Sequence, residues 1–152
     1  MATPDPKVQT SVQIKRTLRA PRAKIFEAFT SPEALKRWWM PGDGFSVPSA
    51  EVDLREGGAY RIGMKNLAGK IFHLFGTYRE VKPPEKIVYS WQWDGIEEKL
   101  GETLVTVELH DVEGGTELVV THELFPTTED RDNHNKGWSG CLDHLEKMFC
   151  QG

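Results

Sequence analysis

The sequence predicts an α+β domain: a seven-stranded, curved antiparallel sheet around one long C-terminal helix, with two short helices after the first strand. Three observations predict it. Hydrophobic residues recur with period two over most of residues 45–124, and with helical spacing in 21–39 and 128–149. Short turn-forming stretches join the period-two segments, which makes consecutive strands antiparallel. The last segment carries Trp138, Cys141, Leu142, Leu145, Met148 and Phe149 as one stripe. A stripe that wide needs a whole sheet face to cover it, so the sheet curls around the helix.

Each element follows from its residues. Residues 1–10 read as a loose N-terminal tail, and residues 11–152 as one domain. Val12, Ile14 and Leu18 share one face of a first strand. Pro21 suits a helix start, and Ile25, Phe26 and Phe29 form its apolar stripe. Ser31 as N-cap, Pro32 at the first position and Glu33 near the positive end open a second short helix. Leu35, Trp38 and Trp39 share its inner face, and Pro41 and Gly42 stop it.

Ala50, Val52 and Leu54 then point inward, and Gly57-Gly58 has the composition of a two-residue hairpin turn. Tyr60, Ile62 and Met64 face inward on the next strand, and Phe72, Leu74 and Tyr78 on the one after it. "KPPEK" turns the chain into a strand with Ile87, Tyr89, Trp91 and Trp93 on one face. "GIEEKLGE" reads as a mobile loop. Two strands then pair across Gly114-Gly115, with Val105, Val107 and Leu109 inward on one and Leu118, Val120, His122 and Leu124 on the other. The final helix starts at Thr128, and Thr127 with Asp130 matches a capping box.

Composition narrows the function. The 152 residues hold 19 basic and 23 acidic side chains, net −4, so no cationic field exists to hold a nucleic acid. No apolar run of about 18 residues occurs, and the start is polar, so neither a membrane span nor a signal peptide is expected. Cys141 and Cys150 lie nine apart on one predicted helix. They therefore sit on opposite faces, roughly 13 Å apart, beyond disulfide reach of about 7 Å. Unpaired cysteines fit a reducing, cytoplasmic setting.

Catalytic signatures are missing. "GWSG" at 137–140 lacks the Gly-x-Ser-x-Gly spacing and falls inside a helix rather than at a strand-to-helix turn. Neither a phosphate-cradling glycine loop nor His-Glu-x-x-His occurs. Cys141 and His144 are three apart on a helix but lack two further ligands nearby, so no metal is expected. Glu97-Glu98 reads as a solvated loop pair. His122 has two readings: a core histidine satisfied by a neighbour, or the polar group that orients a molecule in an apolar pocket. Trp91 and Trp93, about 7 Å apart on one strand face, likewise either fill a solid core or line one wall of a hollow. Trp38 and Trp39 demand cover of some kind, because each buried indole removes about 150–250 Å² from water.

"FTSPEALKRWWMPGDGF", "VDLREGGAYRIGM", "GTYREVKPPEKIVYSWQW" and "HNKGWSGCLDHLEKMF" occur in this order over roughly residues 11–150. As a set they resemble the activators of the heat-shock-chaperone ATPase, a family of the START-like, birch-pollen-allergen-like helix-grip (SRPBCC) superfamily. The resemblance implies the helix-grip fold and an association with the stress response. It implies a small apolar or amphiphilic ligand between sheet and C-terminal helix, as superfamily members typically hold, and no cofactor. It makes Trp38, Trp39, Phe72, Trp91, Trp93, His122, His134, Trp138 and Leu142 candidate ligand-binding residues, with no catalytic residue among them. A heat-shock chaperone is the alternative partner that the resemblance implies. The family's eukaryotic chaperone activators carry a separate N-terminal domain, whereas about ten residues precede the first strand here, so chaperone activation is not expected. A cyclase- or hydrolase-type enzyme using the same cavity is a second alternative, and the chain is expected as monomer or homodimer.

Overall fold

The computed structural model describes residues 11–40, 44–94 and 101–150. Its elements are β1 (Val12–Leu18), α1 (Arg22–Thr30), α2 (Pro32–Trp38), β2 (Ser46–Val52), β3 (Ala59–Lys65), β4 (Ile71–Lys82), β5 (Lys86–Asp94), β6 (Thr103–Val112), β7 (Gly115–Glu123) and α3 (Thr128–Cys150). The seven strands form one sheet in the order β1-β7-β6-β5-β4-β3-β2, and every neighbouring pair is antiparallel. Chain order is kept from β2 to β7, while α1 and α2 carry the chain from β1 at one edge to β2 at the other. The predicted order of elements is the observed one.

The short helices hold their ends by local bonds. Ser31 Oγ accepts from Ala34 N at 3.4 Å, which satisfies one of the orphan donors at the start of α2. Glu33 lies in its first turn and Lys36 and Arg37 in its last, each favourable to the helix dipole. The Trp39 N–H closes the helix on Leu35 O at 3.0 Å. At α3, Thr127 Oγ1 accepts from Asp130 N at 3.1 Å and donates to the Asp130 carboxylate at 2.8 Å. The cap therefore forms, with the carboxylate bound to the hydroxyl.

One face of the sheet is the core. Tyr60, Ile62, Leu74, Tyr78, Ile87, Tyr89, Val105, Val107, Leu118 and Val120 are buried there in alternation, and Trp138, Leu142 and Leu145 of α3 are buried with them. At the edge, Arg16 of β1 bonds Asp143 at 2.8 Å and Glu146 at 3.4 Å on α3.

The sheet is interrupted at one point that matters for the site. The β4–β5 partners run to Phe75–Gln92 and continue in the same register at Tyr78–Tyr89, after which the register shifts between Tyr78 and Glu80. Between the first two of these pairs, Tyr60 OH donates to Ser90 O at 2.6 Å, and Thr77 N donates to Ser90 Oγ at 2.9 Å. Gly76 lies between these partners, and a Cβ there would sit 2.1 Å from Ser90 O. Only glycine fits, and side chains replace the missing ladder bonds.

Four expectations are corrected. β2 ends at Val52, so Leu54 lies in a six-residue loop and is 40% exposed instead of facing the core. That loop, residues 53–58, replaces the two-residue turn expected at Gly57-Gly58. The β6–β7 turn falls one residue earlier than expected: Val112 pairs Gly115, and Glu113-Gly114 form the loop, with Gly114 at φ 84. Leu124 is 48% exposed at φ 73, because β7 ends at Glu123 and the chain turns there. The expected tail at 1–10, the stop at Pro41-Gly42 and most of the loop carrying Glu97 and Glu98 lie outside the described residues.

Candidate functional site

Six of the nine candidate residues meet in one cluster between β5, β7, the end of α2 and the start of α3. Trp91 lies at the centre, with ring centroids 4.7 Å from His122, 5.3 Å from Trp138, 5.6 Å from Trp93, 5.8 Å from Trp39 and 6.0 Å from His134. β5 supplies Trp91 and Trp93 because residues two apart share a face. α3 supplies His134 and Trp138 because residues four apart share one. Trp39, at the end of α2, packs edge-on against Trp138 at 5.2 Å.

The remaining candidates sit around this cluster. Trp38 is fully buried behind Trp39, 5.0 Å away, and its Nε1 donates to Ala28 O at 2.8 Å. Phe72 is half-buried at the rim, 5.6 Å from Trp93 and 6.2 Å from Phe45. Leu142 is buried one helical turn beyond Trp138.

Hydrogen bonds fix the state of both histidines. Trp138 Nε1 donates to His122 Nδ1 at 3.0 Å, so Nδ1 carries a lone pair. The proton of neutral His122 is therefore on Nε2, which donates to Thr103 Oγ1 at 2.7 Å. Thr103 in turn donates to Trp91 O at 3.0 Å. His134 is the complementary tautomer: Nε2 accepts from Trp93 Nε1 at 2.9 Å, and Nδ1 donates to Asp130 O at 2.8 Å. Burial holds His122 well below the ordinary histidine pKa, with a smaller push from His134. Burial also lowers His134, against the opposing pull of Asp130. Both rings are neutral and have both nitrogens engaged, so neither is a free general base.

One indole is different. Trp91 Nε1 is the buried side-chain N–H without a hydrogen-bond partner among the described residues, and its residue is 5% exposed.

Beside the cluster lies a void of about 10 Å³, room for about one water. Phe29, Leu35 and Trp39 close it from the helices, and Tyr60, Ile62, Tyr78 and Tyr89 from the sheet. Burial raises the pKa of all three phenols, so they stay protonated at neutral pH. Burial does the same to the thiol of Cys141. A wider hollow of about 420 Å³ lies on the opposite face of the sheet, between Glu51, Arg61, Phe75, Gln92 and Glu102. Its charges are mostly paired within the protein, Arg61 with Asp94 at 3.3 Å and Glu102 with Arg79.

Sequence reasoning missed Thr103 and Phe125 in this region; Phe125 stacks 4.3 Å from His122. Thr103 was open to discovery, since it precedes Val105 and Val107 by two and four residues on the same inner face. The three tyrosines were placed inward but not as a wall of the site. Among the described residues, no group of three potential metal-ligating side chains comes together, and no helix is long and apolar enough to cross a membrane.

The family model for Activator of Hsp90 ATPase homolog 1-like protein matches residues 19–149. None of the curated proteins matches the sequence. Among solved structures, a protein from Chromobacterium violaceum is similar at 30% identity and TM-score 0.84, with 92% of this chain and 96% of that one covered. One from Rhodobacter sphaeroides is similar at 27% identity and TM-score 0.82, with 97% of each chain covered. The AHSA1 protein of Silicibacter pomeroyi, at 22% identity, TM-score 0.82 and 93% and 98% coverage, shares the fold.

Proposed function

The chain belongs to the Activator of Hsp90 ATPase homolog 1-like protein family, and on that premise we propose that it binds a small apolar or amphiphilic molecule between the curved sheet and helices α2 and α3. The observation that carries this reading is the tyrosine-lined void at the junction of these elements. Buried polar groups in folded proteins are nearly always hydrogen-bonded. Here Tyr60, one of its walls, bonds Ser90 O at 2.6 Å, and Tyr78 and Tyr89 complete the phenol lining. Apolar walls with a few polar groups directed at one space are the usual composition of a ligand site.

At about 10 Å³ the void takes no organic molecule as it stands. Uptake requires Phe29, Leu35 and Trp39 to move away from the sheet together with their short helices. These are the suitable elements to move, being nine and seven residues long and outside the sheet ladder. Of the candidate residues Trp39 lines the void, Trp91 and Trp138 pack directly against Trp39, and Trp38, Phe72, Trp93, His122, His134 and Leu142 surround that cluster.

The test is native mass spectrometry of protein freshly purified from its own cells, followed by calorimetric titration with neutral amphiphiles. A discrete added mass on the 17.3 kDa chain, or saturable binding with one site, is the expected result. Bare protein that binds none of them saturably overturns the reading.

A further inference from the structure

The unpartnered donor of Trp91 says what kind of molecule fits. Trp91 Nε1 is buried and unbonded in the middle of five rings. No turn of its neighbours repairs this, because His122 and His134 already spend their lone pairs on Trp138 and Trp93. Tyr89 stands two residues away on the same face of β5 and lines the void. No charged side chain lines the void, and the cluster's two histidines are neutral.

Resting on the uptake reading above, we propose that the ligand is an uncharged molecule with an apolar ring or chain and one acceptor oxygen (a ketone, ester or ether) that takes the hydrogen bond of Trp91 Nε1. Such an oxygen satisfies the orphan donor without bringing a charge. A carboxylate or phosphate would satisfy it too, but would lie buried with no cation to balance it, and an unpaired buried charge is far more costly than an unpaired dipole. The site therefore selects neutral acceptors over the corresponding anions.

Three probes with one ring system separate the possibilities: 2-acetylnaphthalene, 2-naphthoate and 2-ethylnaphthalene, titrated calorimetrically into the unaltered protein at pH 7.5. The ketone is expected to bind at least about tenfold tighter than the carboxylate, the minimum consistent with burying an uncompensated charge. It should also bind about three- to tenfold tighter than the ethyl compound, the range of one net hydrogen bond. Trp91→Phe, checked for cooperative unfolding by circular dichroism, should remove the ketone's advantage over the ethyl compound. Equal or tighter binding of naphthoate overturns the neutral-acceptor assignment and leaves uptake standing. An undiminished ketone preference in Trp91→Phe overturns the role of Trp91. Should none of the three probes bind saturably, uptake itself fails and the assignment falls with it.

Discussion

Replacing His122 with leucine leaves the Trp138 indole N–H facing a hydrocarbon. The structure allows the cost to be worked out. His122 is fully buried and makes two bonds, to Thr103 at 2.7 Å and from Trp138 at 3.0 Å. Thr103 keeps its donor bond to Trp91 O, so the loss there is small. Trp138, 2% exposed, keeps nothing for its Nε1 proton. An orphaned buried donor costs about 1–3 kcal/mol. Trp138→Phe makes the opposite orphan, the lone pair of His122 Nδ1, at a similar cost plus that of the space left by the smaller ring. In the double variant, leucine faces phenylalanine and neither orphan exists. The double variant should therefore be more stable than the sum of the singles predicts, by about 2–6 kcal/mol, the two orphan costs together. Urea unfolding followed by far-UV circular dichroism on the four proteins measures this coupling. Additivity within about 0.5 kcal/mol, the range for independent sites, would refute the assigned tautomer and the bond it makes.

Other predictions follow from the same contacts. Because burial keeps His122 and His134 neutral when folded, the unfolded chain binds more protons below its histidine pKa of about 6.5. Stability should be fully present above that pH and fall below it, by up to about 1.4 kcal/mol per pH unit for each histidine. Urea midpoints at pH 7.5 and 5.5 check the sign, and His122→Leu should flatten the slope. Gly76→Ala forces a Cβ to within 2.1 Å of Ser90 O and should lower the thermal midpoint by several degrees, as read by calorimetry; an unchanged midpoint means the β4–β5 interruption is misplaced. The described chain should not stimulate the ATPase of a heat-shock chaperone, and saturable stimulation at low-micromolar protein would put the chaperone reading ahead of ligand uptake.

The inward faces were legible because alternation reports facing directly: Tyr60, Ile62 and Met64, or Ile87, Tyr89 and Trp91, need no knowledge of their neighbours. Strand ends were not. Leu54 and Leu124 continue the pattern two residues and one residue beyond the last paired position of their strands, and hydrophobicity does not register where a ladder stops. The site divides in the same way. That several tryptophans face one interior could be read from spacing and from the family resemblance. That Trp138 bonds His122 and Trp93 bonds His134 could not, since these pairs lie 16 and 41 residues apart and depend on how α3 docks on β5 and β7. The orphan donor of Trp91 is a remainder, visible only after every neighbouring acceptor has been assigned.

The central claim, uptake at the junction of sheet, α2 and α3, is tested most directly by nuclear magnetic resonance on ¹⁵N-labelled protein. Each of the five tryptophans carries one indole N–H to follow while 2-acetylnaphthalene is added. The account predicts saturable shifts of the Trp39 and Trp91 indole signals and of the Tyr78 and Tyr89 amides, with Glu51, Gln92 and Glu102 on the opposite face unmoved. Indole signals that stay fixed up to the solubility of the ketone, or shifts confined to the hollow beside Arg61 and Glu102, would contradict it.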